Sequence, residues 1–219
     1  MISRRVLLGA AGALSLPVSL TANAAPVAGK DYLVVRPAVP VAAKPVIIHD
    51  FFAYTCPHCL AFAPMMDEYI KSLPKDGSVK VIPVPVAWNA QYEIFPRTYF
   101  ALEALGKFDA LHMPFWEWVI KEEHDWKDVE GMNADVTKWF TKNGISESDF
   151  TGAVKSFSVV AKSRTAFSTW QSYGVDSTPS VGVAGRSRRL TSPARAAPQL
   201  KRSSSSWISR KRLNSHRTV

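Results

Sequence analysis

From Val46 to Tyr54 the chain reads Val-Ile-Ile-His-Asp-Phe-Phe-Ala-Tyr, a nearly continuous apolar run of β-branched and aromatic residues. Its length and composition predict a buried strand rather than a helix. After it, the apolar positions from Pro57 to about Leu73 predict a helix. Lys80–Val86 alternates proline with β-branched residues, and prolines that donate no hydrogen bond predict an edge strand. Gly29–Val35 predicts a short strand ahead of a proline-rich connection, Pro37 to Pro45. From about Phe95 to Tyr173 the apolar spacing changes to three and four, predicting helices over 96–107, 108–123, 134–143 and 147–173. Asn133 and Ser146 stand as N-caps and Gly144 as a stop. Strand signals return only at Ser180–Val183, so the helices read as an insertion between β segments.

The ends differ from this body. Arg4 and Arg5, the apolar stretch Val6–Leu20 and Ala22-Asn23-Ala24 form an export signal over residues 1–24. Ser3-Arg4-Arg5-Val6-Leu7-Leu8 also resembles a twin-arginine signal, so the general secretory and twin-arginine routes both stand. The net charge is +9, but ten of the 27 basic residues lie in Arg186–Val219, which contains no acid. The body is therefore close to neutral, and no nucleic-acid partner is expected for it. The tail, 187–219, shows no apolar periodicity and is expected to be disordered. Read one frame over, Ala194–Ser209 can become an amphipathic segment in which the serine run turns to valines, which points to a frameshifted C-terminus.

The chain has two cysteines, Cys56 and Cys59, separated by Pro57 and His58. Two cysteines this close cannot staple a domain of this length, so their role is to exchange electrons. Strand, C-x-x-C and helix in that order is the thioredoxin arrangement. At a helix start, unpaired N–H groups and the positive dipole end favour an anion, which lowers the pKa of Cys56. The imidazole of His58 adds to this, Pro57 suits the first turn, and Cys59, one turn on, is the inward resolving thiol. Thr178-Pro179, just before the strand at Ser180, matches the cis-proline that faces the C-x-x-C in this fold and lets an extended substrate pair alongside. No metal site or other cofactor is implied; the redox group is the Cys56–Cys59 disulfide.

These features together resemble the DsbA family of bacterial periplasmic thiol–disulfide oxidoreductases. The residues that carry the resemblance are Gly29-Lys30-Asp31-Tyr32, Asp50-Phe51-Phe52, Cys56-Pro57-His58-Cys59, the helical insertion, and Gly174-Val175 through Thr178-Pro179. The resemblance implies an α/β thioredoxin fold with an inserted helical domain. It implies a monomer that donates disulfides to reduced exported proteins and is re-oxidised by a quinone-linked inner-membrane partner. It also places Asp50 as a buried acid that exchanges a proton with Cys59, and Met65, Phe115 and Trp116 as peptide-groove or core residues. After Gly185 the family supplies a last strand and a helix, which this chain is expected to have lost or altered. The expected division is 1–24 signal, 25–94 and 174–186 thioredoxin domain, 95–173 helical insertion and 187–219 basic tail. A periplasmic reductase or isomerase, or an inactive frameshift product with a polybasic tail, is the alternative function.

Overall fold

The computed structural model describes residues 26–190. The export signal and the tail beyond Leu190, with its frameshift reading and the expected loss of a last helix, lie outside the described residues. A five-stranded sheet has the order β1-β5-β4-β2-β3, with β1 Leu33–Val34, β2 Val46–Phe52, β3 Val79–Pro85, β4 Ser180–Val183 and β5 Ser187–Leu190. β2 runs parallel to β3 and antiparallel to β4, and β5 lies antiparallel to both β4 and β1. β3, with Pro83 and Pro85, takes the edge its prolines predict.

The helices are α1 Pro57–Lys71, α2 Ile94–Ala104, α3 Phe108–Lys121, α4 Val129–Lys142, α5 Glu147–Lys155 and α6 Phe157–Ser172, with a short 3₁₀ turn at Ala90–Tyr92. Ser146 caps α5 through the Asp149 N–H, and Gly144 (φ +84°) follows α4, both as expected. Two boundaries differ from the sequence reading. α4 starts at Asp128, whose carboxylate accepts the Gly131 N–H at 2.7 Å, so Asn133 lies inside the helix. The helix expected over 147–173 is two, because Ser156 leaves the helical region (φ −62°, ψ 147°) and its hydroxyl caps α6.

The last strand, expected to be lost or altered, is present: Gly182 pairs with Arg188 and Val183 with Ser187. A basic tetrad, Ser-Arg-Arg-Leu, becomes a strand because β4 and β1 each present an edge to it. The Arg188 guanidinium also grips the Asp176 carboxylate with two bonds, at 2.7 and 3.1 Å, tying β5 to the loop that leads into Thr178.

Side chains of β2 alternate between two cores. Ile48 packs with Phe62, Met66 and Tyr69 of α1, whereas Phe51 and Ala53 pack with Ala166 of α6, Tyr173 and Val175. Gly182 has no side chain because Tyr173 occupies the space: a Cβ there would stand 2.5 Å from the Tyr173 ring. The Tyr173 hydroxyl accepts the Gly185 N–H at 2.9 Å and lies 3.0 Å from His49 Nδ1. The largest core runs through α2–α6, reaches the sheet at Phe52, and continues through Tyr54 to Cys59 on α1. The inserted helices and the C-x-x-C therefore share one continuous interior.

Candidate active site

β2 delivers the chain to the C-x-x-C in a tight turn, in which the Cys56 N–H donates to the Ala53 carbonyl at 3.0 Å. Cys56 has an extended backbone (φ −105°, ψ 109°) and is the N-cap of α1, with Pro57 at the first helical position. Both cysteines are free thiols, Cys56 half-buried and Cys59 only 1% exposed. Pro57 and His58 are exposed. Across from them, the Thr178–Pro179 peptide is cis, as the sequence predicts, and the Cys56 Sγ lies 3.4 Å from the Thr178 carbonyl oxygen.

The two sulfurs are electrostatically opposite. The Cys59 thiol donates toward Cys56, which is the largest reason the Cys56 pKa falls to about 5. Partial burial works against this, while the Thr178 side chain and the N–H groups of Cys59 and His58 at the helix start reinforce it. The same hydrogen bond and burial push the Cys59 thiol up, so Cys56 carries the charge and Cys59 the proton. The contribution seen from His58 is its backbone N–H.

Asp50 lies on the face of β2 shared by Ile48 and Phe52, beneath α1. Its Oδ1 is buried without a hydrogen-bond partner. Burial, then the negative charge of Asp67 on α1, raise its pKa to about 7. Of the residues considered for a peptide groove, Phe115 and Trp116 are core, 0% and 3% exposed, and Met65 is half-buried against the α1 core.

One pair was not singled out from sequence. Tyr54, two residues before Cys56 and 1% exposed, shares a 2.7 Å hydrogen bond with His112 Nδ1 on α3. Phe108 stacks on the same imidazole at 4.4 Å. Burial lowers the His112 pKa to about 4, so the ring is neutral and accepts the Tyr54 hydroxyl proton. The signal that would have found it is spacing: Phe108, His112 and Trp116 follow one another at four-residue steps on one helix face.

The family model described as Thioredoxin matches residues 41–201. The thiol:disulfide interchange protein DsbA of Bordetella parapertussis is 32% identical over 168 residues, covering 76% of each chain. The DsbA of Burkholderia cepacia is 27% identical over 183 residues, covering 83% of this chain and 82% of that protein. The chain belongs to the DsbA family. Solved structures agree on the fold: Pseudomonas aeruginosa DsbA superimposes with a TM-score of 0.69 at 22% identity, over 87% of this chain and 97% of that one. The DsbA of Xylella fastidiosa gives 0.68 at 22%, over 86% and 98%. As a DsbA-family member this protein is a thiol:disulfide oxidoreductase.

Proposed function

We propose that this protein donates the Cys56–Cys59 disulfide to reduced exported polypeptides in the periplasm, as a monomer, and that a quinone-linked inner-membrane partner re-oxidises it. The observation that carries the reading is the asymmetry of the two sulfurs. Cys56 is reachable at the start of α1 against Thr178-Pro179, and Cys59 is enclosed.

A substrate thiolate attacks the Cys56 sulfur of the disulfide. The Cys56–Cys59 bond breaks, and Cys59 leaves with the electron pair. Asp50, whose pKa of about 7 leaves a large protonated fraction at neutral pH, supplies the proton for Cys59. A second substrate thiolate attacks the substrate sulfur of the mixed disulfide, and Cys56 departs as the stabilised thiolate. The substrate loses two electrons and two protons, and they pass to the cysteine pair and solvent. A good leaving group at Cys56 and a cheap reduced state both drive the reaction toward oxidised substrate. Pro57 and His58 set the local backbone that feeds N–H groups to Cys56. Thr178 and Pro179 form the shelf where an extended substrate lies, the proline offering no competing N–H.

Residues 1–24 would serve as the export signal, and 95–173 as an insertion in a thioredoxin domain built from 25–94 and 174–186. The first residues of the basic segment after Arg186, Ser187–Leu190, form β5.

The test is the equilibrium of the chain from Ala25 onward with glutathione buffers, folded and in denaturant. The native disulfide is expected to be far more oxidising than the denatured one. Equal values in the two states would overturn the donor reading and leave a reductase or isomerase.

A further inference from the structure

Residues 173–179 link α6 to β4. At the start of this loop Gly174 (φ +61°) turns the chain, and the Val175 N–H donates to the Trp170 carbonyl at 3.0 Å. At its end Ser180 pairs with Phe51 of β2. The Ser177 hydroxyl donates to Asp176 Oδ1 at 3.1 Å, and the Ser180 hydroxyl to the Ser177 carbonyl at 2.7 Å. Between these ends stand Thr178 and Pro179, with the Thr178 carbonyl oxygen 3.4 Å from Cys56 Sγ.

The side of the loop is held from another strand. Arg188 of β5 stands opposite Gly182 of β4, on the face that Tyr173 covers. Its guanidinium side chain is 11% exposed and donates Nη1 and Nη2 to the two oxygens of Asp176, at 2.7 and 3.1 Å. The Asp176 side chain is 66% exposed. An ion pair with one partner so open to water adds little to stability. What a two-bond fork does supply is orientation, because it fixes distance and plane together.

We propose that Arg188 is a positioning residue for the dithiol reaction: through Asp176 it holds Thr178 and Pro179 against Cys56, at the spacing an extended substrate needs to lie across both. The role rests on the donor reading above, because the shelf it steadies is the one a substrate uses. Arg188 acts through the carboxylate two residues before Thr178, not on the sulfurs. Loss of the fork leaves the ends of the loop anchored and frees its middle. Pairing with a peptide backbone then suffers, while the half-buried Cys56 stays open to a small thiol. A displaced Thr178 also withdraws from Cys56 a group that stabilises its thiolate.

The experiment compares, by stopped-flow, two reductants of the oxidised protein: a reduced two-cysteine peptide, which must lie along Thr178 and Pro179, and dithiothreitol, which need not. Arg188→Met keeps the aliphatic stem and removes the fork. Asp176→Asn alters the exposed partner and serves if the first variant fails to fold, which melting verifies. Each is expected to slow the peptide reaction roughly tenfold and the dithiothreitol reaction far less, because a small misplacement costs rate steeply. Arg188→Lys, with the charge but no fork, is expected to fall between. The Cys56 pKa, read from thiolate absorbance, is expected to rise in Arg188→Met and Asp176→Asn. Peptide and dithiothreitol rates that fall together, or a peptide rate unchanged in the folded variants, would overturn the proposal and leave the ion pair a structural contact. A wild-type protein that reacts with dithiothreitol but leaves the peptide reduced would overturn the donor reading, and with it any role for the shelf.

Discussion

The sulfur of Cys56 lies 3.4 Å from the carbonyl oxygen of Thr178, a residue 122 positions further along the chain. Two segments that carry no local relation in sequence are thus brought side by side. Because the Cys59 thiol is the largest cause of the low Cys56 pKa, Cys59→Ala is expected to move it upward from about 5. Thr178→Val removes a smaller contribution and is expected to move it less. Ultraviolet thiolate absorbance of the reduced protein against pH measures both; no movement in Cys59→Ala would place the stabilisation elsewhere.

Asp50 is charged at a price in stability. Its folded pKa of about 7 lies above the 3.8 of an unperturbed aspartate, so the native state binds the extra proton between those values. Stability from this group therefore rises as pH falls from about 7 toward 3.8. Asp50→Asn is expected to stabilise the reduced protein at pH 8 by up to about 4 kcal/mol and to make little difference near pH 4. The same variant is expected to slow deprotonation of Cys59. Denaturant melts at the two pH values decide it; equal effects at both would rule out titration of Asp50.

The Tyr54–His112 hydrogen bond pins the turn that presents Cys56 to a helix of the insertion. Tyr54→Phe is expected to cost about 1–3 kcal/mol, because the buried imidazole nitrogen loses its donor. His112→Phe strands the tyrosine hydroxyl with a similar loss, and the double variant is expected to recover part of it.

Acid adds a second signature. His49 and His112 both have folded pKa values near 4 against 6.5 unfolded, so the unfolded chain takes up protons first. Each therefore removes stability as pH falls from about 6.5 to 4, by up to about 3 kcal/mol. This runs opposite to Asp50 over much of the same window. His112→Phe in an Asp50→Asn background is expected to flatten the acid limb of the stability curve, which melts across pH 4–7 would show.

Gly182 is where β4 must pass beneath the Tyr173 ring. Gly182→Ala is expected to destabilise by roughly 1–3 kcal/mol through overpacking. Gly152, where an added Cβ meets nothing within 4 Å, serves as the comparison, and Gly152→Ala is expected to be neutral or stabilising. Similar losses at both sites, read from denaturant midpoints, would contradict the packing argument.

Much of the fold was legible because its signals are local. The β2 run, the start of α1 at Cys56-Pro57, the Ser146 cap, the Gly144 stop and the proline-marked edge of β3 each depend on a few neighbouring residues. The split of the last long helix was not, since Ser156 inside an apolar-spaced run is compatible with helix until its hydroxyl is seen capping α6. Nor was the start of α4, where Gly131 masks a helix that Asp128 caps.

What the amino-acid order determined by itself is the dithiol chemistry: cysteines separated by two residues at a helix start must share backbone N–H groups and a dipole, whatever surrounds them. What only the tertiary structure decided is everything that acts across the chain. Ser187–Leu190 is a strand because β4 and β1 flank it, and Arg188 holds Asp176 because β5 brings it there. Asp50 is raised, and His112 neutral, because packing removes water from them. Local propensity is a property of neighbours in sequence, whereas desolvation and cross-strand pairing are properties of neighbours in space.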